Sequence, residues 1–217
     1  MRGDIMKKVC LFIMATVILF SMMGFTYVSA KEVSSSLTKA ENEEFKKAFS
    51  QENIESALSK IDFNKTGKQT IKLSNNYVLN CIVTSTTNKI SRRSMPAQSF
   101  MSVTPNYSTD YYTSTKSVYI DATALFGWKV WDLTVSGTFG YDYSSSWVID
   151  SNYSANTHQV GWSYTDGYSR SLQVSSTEAK VIGGAKFYLG LKDVPVQSSR
   201  PVIAVGCNQN GSTIRYK

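Results

Sequence analysis

The sequence predicts a mainly β protein, an antiparallel β-sandwich or jelly roll with a short helical segment at its N-terminal side. Apolar and polar residues alternate with a period of two along Trp131–Ser144. Short apolar runs separated by turn residues recur about every ten residues through the C-terminal half. Charged residues make up only 18% of the chain and aromatic residues 12%, which argues against a helical bundle or a coiled coil.

The first thirty residues have the three parts of a signal peptide. A basic head at Lys7-Lys8 precedes the apolar run Val9–Met23, and Val28-Ser29-Ala30 supplies a small-x-small end. We therefore expect residues 1–30 to be removed on export and the protein to be secreted, either extracellular or associated with the cell wall. The alternative is an uncleaved N-terminal anchor. Cys10 opens the apolar run, so it cannot become the lipidated first residue of a lipoprotein.

Residues 31–68 are predicted to form a helical arm or a propeptide-like segment. Thr38 and Glu41 fit a capping box, which predicts a helix that starts near Thr38, and a break is expected near Ser50. Residues at helical spacing on the two sides of this break are Leu37, Glu41, Phe45, Ala48 and Phe49, and then Ile54, Ala57, Leu58 and Ile61. The segment either packs on the β domain and remains, or is removed, with Arg92-Arg93 as a candidate cleavage point.

Residues 69–217 are predicted to form the β-sandwich domain. Gln69–Leu73 and Tyr77–Thr84 flank Ser74-Asn75-Asn76, a plausible hairpin turn, because asparagine tolerates positive φ. Residues 85–115 are polar and contain two prolines, so they are predicted to form a long loop. Asp166-Gly167 is a turn signal after the run Val160–Tyr164. The further predicted strands are Leu172–Val174, Val181–Leu191, Val202–Val205 and Thr213–Tyr216.

Two cysteines, Cys81 and Cys207, lie beyond the predicted signal peptide. In an exported protein they are expected to form one disulfide that ties an early strand to the C-terminal region. The alternative is a pair of buried free thiols.

Known catalytic and metal-binding motifs are absent from the sequence. His158 is its single histidine, and the sequence contains neither G-x-S-x-G, C-x-x-C, H-E-x-x-H nor G-x-x-x-x-G-K. No catalytic residue, metal site or cofactor is therefore predicted. Secreted jelly-roll xylanases need two carboxylates and use glutamates, whereas Glu178 is the sole glutamate after residue 55. A glycoside hydrolase-like jelly roll that uses an aspartate pair remains an alternative. Asp132 and Asp142 lie on the polar face of the long strand, and Asp121, Asp150 and Asp166 are the further candidates.

Aromatic side chains are the candidate ligand-binding residues, because flat rings stack on sugar rings. The candidates are Tyr107, Tyr111, Tyr112 and Trp128. Trp128 has the opposite parity to Trp131, which belongs to the apolar face of its strand, so Trp128 is predicted to be exposed.

The positive charge is concentrated in the predicted β domain. Residues 69–217 contain thirteen basic and eight acidic residues, whereas residues 31–68 contain seven of each. Such an excess favours contact with anionic wall polymers or lipid headgroups. The alternative is a solvated surface kept soluble by its net charge.

Short motifs at Gly127–Leu133, Gly137–Asp142 and Ile203–Gly211 resemble small secreted β-rich proteins of Gram-positive bacteria. Those proteins have a signal peptide, a helical leader and a β-rich body, so the resemblance implies export and the fold class and brings no site residues. The leading hypothesis is a non-enzymatic protein that binds a cell-wall glycan or an anionic polymer at the cell envelope.

A secreted bacteriocin or membrane-active toxin is the main alternative. The alternation in Trp131–Ser144 and Val160–Val174 is also typical of amphipathic strands that insert into a membrane. A membrane is therefore a second candidate partner, whereas no nucleic-acid partner is predicted.

Overall fold

The computed structural model describes residues 39–91, 110–124, 126–192 and 195–213. The predicted signal peptide, the Arg92-Arg93 pair and Tyr107 lie outside these residues. The described chain starts with two helices, α1 (Lys39–Ala48) and α2 (Gln51–Ser59). The strands that follow are β1 (Gly67–Lys72), β2 (Tyr77–Ser91), β3 (Asp110–Ala124), β4 (Lys129–Tyr141), β5 (Ser146–Thr157), β6 (Trp162–Ser175), β7 (Glu178–Gly190), β8 (Pro195–Ser199) and β9 (Val202–Asn208).

These strands form two antiparallel sheets. Sheet A contains β1 to β5 in sequence order, with each strand paired to the next. Sheet B contains β6 to β9, with β7 paired to β6 on one side and to β8 and β9 on the other. The predicted fold class, mainly antiparallel β with helices at the N-terminal side, is confirmed. Of the two predicted forms, the sandwich is the one observed, since sheet A is a simple meander.

The strands β8 and β9 act as one interrupted strand along β7. Phe187 pairs with Ser199 and Gly184 with Val202, which is a single continuous register. The interruption includes Pro201, which has no amide hydrogen to donate to a neighbouring strand.

The core lies between the two sheets and follows the predicted alternation. Leu133, Val135 and Phe139 of β4 are fully buried. Trp131 is also fully buried and stacks on Phe187 of sheet B, with ring centroids 4.6 Å apart. The apolar residues at alternate positions of β4 therefore form the face that packs against sheet B.

The helices belong to the same core. Phe49, Ile54 and Ile61 are almost completely buried, and the ring of Phe49 lies 5.4 Å from that of Trp162, at the start of β6. Gln197 of β8 donates a hydrogen bond from Nε2 to the carbonyl of Phe49 at 2.7 Å. The described part of the helical segment thus packs on the sandwich, as one of the two predicted alternatives requires.

The predicted loop at residues 85–115 is strand at both of its ends. β2 continues to Ser91 and β3 starts at Asp110, with Ser85 paired to Lys116 and Ser91 to Asp110. Threonine is β-branched and favours strands, and this part of β2 is exposed, so its side chains can be polar. The polar composition therefore reflects a solvated strand, and residues 92–109 lie outside the described part of the chain.

The Asp166-Gly167 signal marks a bulge and does not form the predicted turn. β6 runs without interruption from Trp162 to Ser175, and its register with β7 shifts between Thr165 and Tyr168. Asp166 has a φ of 52°. Positive φ occurs in bulges as well as in turns, so the dipeptide signals both structures.

The predicted disulfide is not formed. Cys81 and Cys207 are buried free cysteines. Cys81 pairs with Ile120 of β3, whereas Cys207 pairs with Thr213, whose Oγ1 accepts a hydrogen bond from Lys116, four residues before Ile120 on β3. Four residues of a strand span about 13 Å, whereas the Cα atoms of a disulfide lie about 4.4–6.8 Å apart. Burial raises the pKa of the Cys81 thiol to about 12.

A lysine is buried near Cys207. Lys116 is 3% exposed and lies on the core face of β3. Its Nζ donates hydrogen bonds to the carbonyl of Gly211 and to Oγ1 of Thr213, both at 2.9 Å. Desolvation lowers the pKa of Lys116, although the neighbouring Cys207 opposes this shift. The segment after β9 is therefore held to sheet A by an ammonium group that is largely shielded from water.

Candidate functional site

Five polar residues form a line across the outer face of sheet A, the face directed away from sheet B. Each of the five strands contributes one residue, and each residue is the direct partner of the next. In order they are Thr70, Asn80, Asp121, Asp132 and Asn156. We call this line the polar row.

Hydrogen bonds in the polar row run from its ends to the two central carboxylates. Thr70 donates from Oγ1 to Oδ1 of Asn80 at 2.8 Å, and Asn80 donates from Nδ2 to Oδ1 of Asp121 at 2.8 Å. From the other end, Asn156 donates from Nδ2 to Oδ1 of Asp132 at 2.9 Å. The two carboxylates therefore receive donors from outside and face each other at the centre.

The central carboxylates are buried although they lie on an outer face. Asp121 is 7% exposed and Asp132 is 5% exposed. Directly opposite residues in an antiparallel pair have Cβ atoms about 4.5–5.5 Å apart, and like charges in such positions repel each other. A close pair of this kind weakens the sheet, so its presence favours a role beyond packing.

Lys129 partly offsets the charge of the pair. Its Nζ lies 3.7 Å from Oδ2 of Asp132 and 5.2 Å from the ring centroid of Tyr119. The pKa of Lys129 is raised mainly by hydrogen bonding to Tyr119; desolvation opposes this shift, and the charges of Tyr119, Asp132 and Asp121 add to it. The Lys129 ammonium group thus interacts with two carboxylates and an aromatic ring at the start of β4.

The turn between β5 and β6 adds a histidine to the site. His158 contacts Oδ2 of Asp132 through Nε2 at 2.5 Å, and its backbone amide donates to the carbonyl of Val130 at 2.9 Å. Gln159 donates from Nε2 to the carbonyl of Lys129 at 3.0 Å. The single histidine is therefore held against the polar row by its own turn.

The turn between β3 and β4 exposes two aromatic side chains. The amide of Ala124 donates to the carbonyl of Trp128 at 2.9 Å, and Gly127 has a φ of 83°, which glycine adopts readily. Phe126 is 83% exposed and Trp128 is 68% exposed. The predicted exposure of Trp128 is confirmed, and Phe126 is a second exposed ring that the sequence interpretation missed.

The other predicted aromatic residues lie elsewhere. Tyr111 is buried, with its ring 5.8 Å from that of Trp147, whereas Tyr112 stacks on Tyr141 at 5.4 Å. Consecutive strand residues point to opposite faces, so Tyr111 and Tyr112 do not share one surface. They also lie near the start of β3, about 40 Å of strand from Trp128 at its other end. Tyr107 lies outside the described residues.

The polar row itself was missed by sequence reasoning because no local pattern defines it. The alternation places Asp132 on the polar face of β4, but the alignment with Asp121 depends on how β3 pairs with β4. Asp142, another of the aspartates considered for a catalytic pair, lies in the turn after β4, where Oδ1 accepts hydrogen bonds from Ser144 and Ser145. Asp142 therefore caps a turn far from Asp132.

The arrangement presents hydrogen-bond acceptors on the outer face of sheet A and exposed aromatic rings in the β3–β4 turn at its end. Carboxylates accept several hydrogen bonds each, and Oδ2 of Asp121 has no hydrogen-bond partner among the described residues. The described residues contain no group of three or more histidine, cysteine, aspartate or glutamate side chains arranged to hold a metal ion. Neither described helix has the length and apolar character needed to cross a membrane. Comparison with protein-family models, with curated proteins and with solved structures finds no match to this chain.

Proposed function

We propose that the protein binds a neutral, hydroxyl-rich glycan on the outer face of sheet A, at the end where the β3–β4 turn exposes Trp128. The observation that carries the proposal is the buried carboxylate pair of Asp121 and Asp132, which lies in a row of amide and hydroxyl side chains on the strands that this turn joins. Sugar hydroxyls donate to carboxylates, and the apolar face of a sugar ring packs on an aromatic ring. Export to the cell envelope, as the signal-like N-terminus predicts, is part of this proposal.

The same geometry favours a neutral glycan over an anionic polymer at this site. Two carboxylates at the centre repel phosphate or uronate groups, and Lys129 is already engaged with Asp132 and Tyr119. The excess of basic residues in the β domain therefore does not define the ligand of the polar row.

The position of the site also fits an extended ligand. Trp128 precedes β4 and is four residues from Asp132, at most about 13 Å of chain, a span that suits an oligosaccharide lying across the end of the sheet.

The test measures retention of the protein on insoluble chitin, cellulose and purified peptidoglycan, with polyphosphate-coated resin as the anionic matrix. We expect retention on at least one neutral matrix and none on polyphosphate through this site. Asp132→Asn keeps the shape of the side chain, removes its charge, and is expected to weaken retention about tenfold, as for a hydrogen bond to a charged group. Asp150→Asn is the matched control, because Asp150 is an exposed aspartate on β5 of the same sheet.

Equal losses in Asp132→Asn and Asp150→Asn would contradict the assignment of the polar row. Absence of retention on every neutral matrix would contradict the proposed function as a whole.

Hydrolysis of the bound glycan is a second candidate function. Retaining glycosidases hold two carboxyl groups about 5–5.5 Å apart, which direct cross-strand neighbours such as Asp121 and Asp132 approach. Release of reducing ends from the matrix that retains the protein tests this candidate. Retention without release assigns binding alone, whereas release that Asp132→Asn abolishes assigns hydrolysis.

A further inference from the structure

The outer face of sheet B, directed away from sheet A, combines cations with aliphatic side chains. On β7 the buried residues Val181 and Phe187 alternate with Lys180, Ile182 and Lys186, which therefore lie on the outer face. The neighbouring strands extend this surface. We call it the basic face and define it by Arg170, Leu172, Lys180, Ile182, Lys186 and Val202.

The strand register places basic and aliphatic side chains opposite each other on the basic face. Leu172 is the partner of Lys180, and Arg170 is the partner of Ile182. Val202 lies opposite Gly184, between the levels of Ile182 and Lys186. Lys180 and Arg170 thus each have an aliphatic neighbour across the strand, whereas Lys186 lies opposite Thr165.

The described strands of sheet B contain two acidic residues, Glu178 and Asp166. Glu178 is at the first position of β7. Asp166 pairs with Arg200, whose NH2 group lies 3.0 Å from Oδ2. The centre of the face therefore keeps a positive charge.

The aliphatic residues of the basic face are exposed to solvent. Leu172 is 43% exposed and Val202 is 44% exposed, and Val196, on the preceding strand β8, is 56% exposed. Grouped apolar residues on an outer sheet face are typical of an interaction surface. A soluble phosphate polymer would engage the cations and leave these aliphatic groups in water.

We infer that the basic face binds an anionic lipid surface. Lipid phosphates complement Arg170, Lys180 and Lys186, and the aliphatic side chains enter the boundary between headgroups and acyl chains. The binding is peripheral, because β7 stays in the sandwich and buries Val181 and Phe187. This surface is separate from the polar row and takes a different chemical class of partner.

The experiment measures sedimentation of the full chain with vesicles of phosphatidylcholine alone and of phosphatidylcholine mixed with phosphatidylglycerol, whose anionic headgroups give the vesicle a negative surface. We expect binding only to the anionic vesicles, and release at high salt. Arg170→Gln combined with Lys186→Gln is expected to weaken binding about 25-fold, since each basic residue near an anionic surface contributes about fivefold.

The matched control combines Lys68→Gln with Lys72→Gln. Both lysines are exposed on β1 of sheet A, so the control removes the same charge from the other side of the molecule. Leu172→Ser tests the aliphatic part of the surface, with Val160→Ser as its control, because Val160 is 69% exposed in the β5–β6 turn. Circular dichroism and thermal melting confirm that each variant is folded.

Equal binding to both kinds of vesicle, or equal losses in the two double variants, would overturn the inference. Retention on soluble polyphosphate without binding to vesicles would overturn the choice of lipid. The vesicles also contain a trapped dye, and binding without dye release is the result that peripheral docking requires. Release of the dye would instead favour membrane insertion.

Discussion

Replacing Trp128 by alanine separates ligand binding from stability. A tryptophan side chain offers up to about 250 Å² of surface. Since Trp128 is 68% exposed, about 170 Å² is available to a ligand, and stacking of one ring face buries about half of that area. At about 25 cal/mol per Å², the lost contact is worth about 2 kcal/mol, which corresponds to about 30-fold in affinity.

The cost in stability is expected to be smaller, because Trp128 is not among the buried core residues. Isothermal titration with a soluble oligosaccharide of the glycan that retains the wild type measures the affinity, and urea unfolding measures the stability. Tyr143→Ala is the matched control, since Tyr143 is 60% exposed in the turn between β4 and β5. Unchanged affinity in Trp128→Ala, or an equal loss in Tyr143→Ala, would refute the stacking argument.

Three further predictions concern the scaffold. Lys116→Met removes an ammonium group whose folded-state pKa is lowered below its unfolded value. Lys116 binds its proton more tightly in the unfolded wild type than in the folded protein. The free energy of unfolding of the wild type, measured in urea melts, should therefore rise relative to that of the variant as the pH increases toward about 10.4. Parallel pH profiles for the two proteins would contradict the burial argument. Gly140→Ala places a Cβ against the ring of Trp147, and it should lower the free energy of unfolding by about 1–3 kcal/mol, whereas an unchanged urea midpoint would show that the ring moves freely. Ile54→Ala empties a fully buried position in α2 and should cost about 2–5 kcal/mol, so a negligible loss would place the helices outside the cooperative core.

Local patterns predicted much of this fold because they depend on single strands and helices. The period of two along β4 predicts which face Trp131 buries, and the periodicity around Ser50 predicts a helix on each side of it. Both are properties of neighbouring residues, and tertiary packing agrees with them here.

Features that depend on pairing or on shared signals were not predicted. A run of threonine and asparagine in β2 indicates a loop by composition, and the long pairing with β3 shows that it is a strand. Asp166 supplies the positive φ of a bulge with the residue type that also makes turns. Asp121 and Asp132 lie opposite each other because of the register in which β3 pairs with β4. A shift of that register by a single residue would point one carboxylate into the core.

The two outer faces of the sandwich have opposite chemistry, and this leads to one more prediction. Packed sheets lie about 10 Å apart, so the polar row and the basic face are on opposite sides of the protein and cannot share a ligand atom. A glycan on sheet A and a lipid surface on sheet B should therefore be bound at the same time, with neither displacing the other. Protein on anionic vesicles should then keep the oligosaccharide affinity that it has in solution. Competition between the two ligands would show that one of the faces has been assigned to the wrong partner, because two separate rigid surfaces have no steric means of excluding each other.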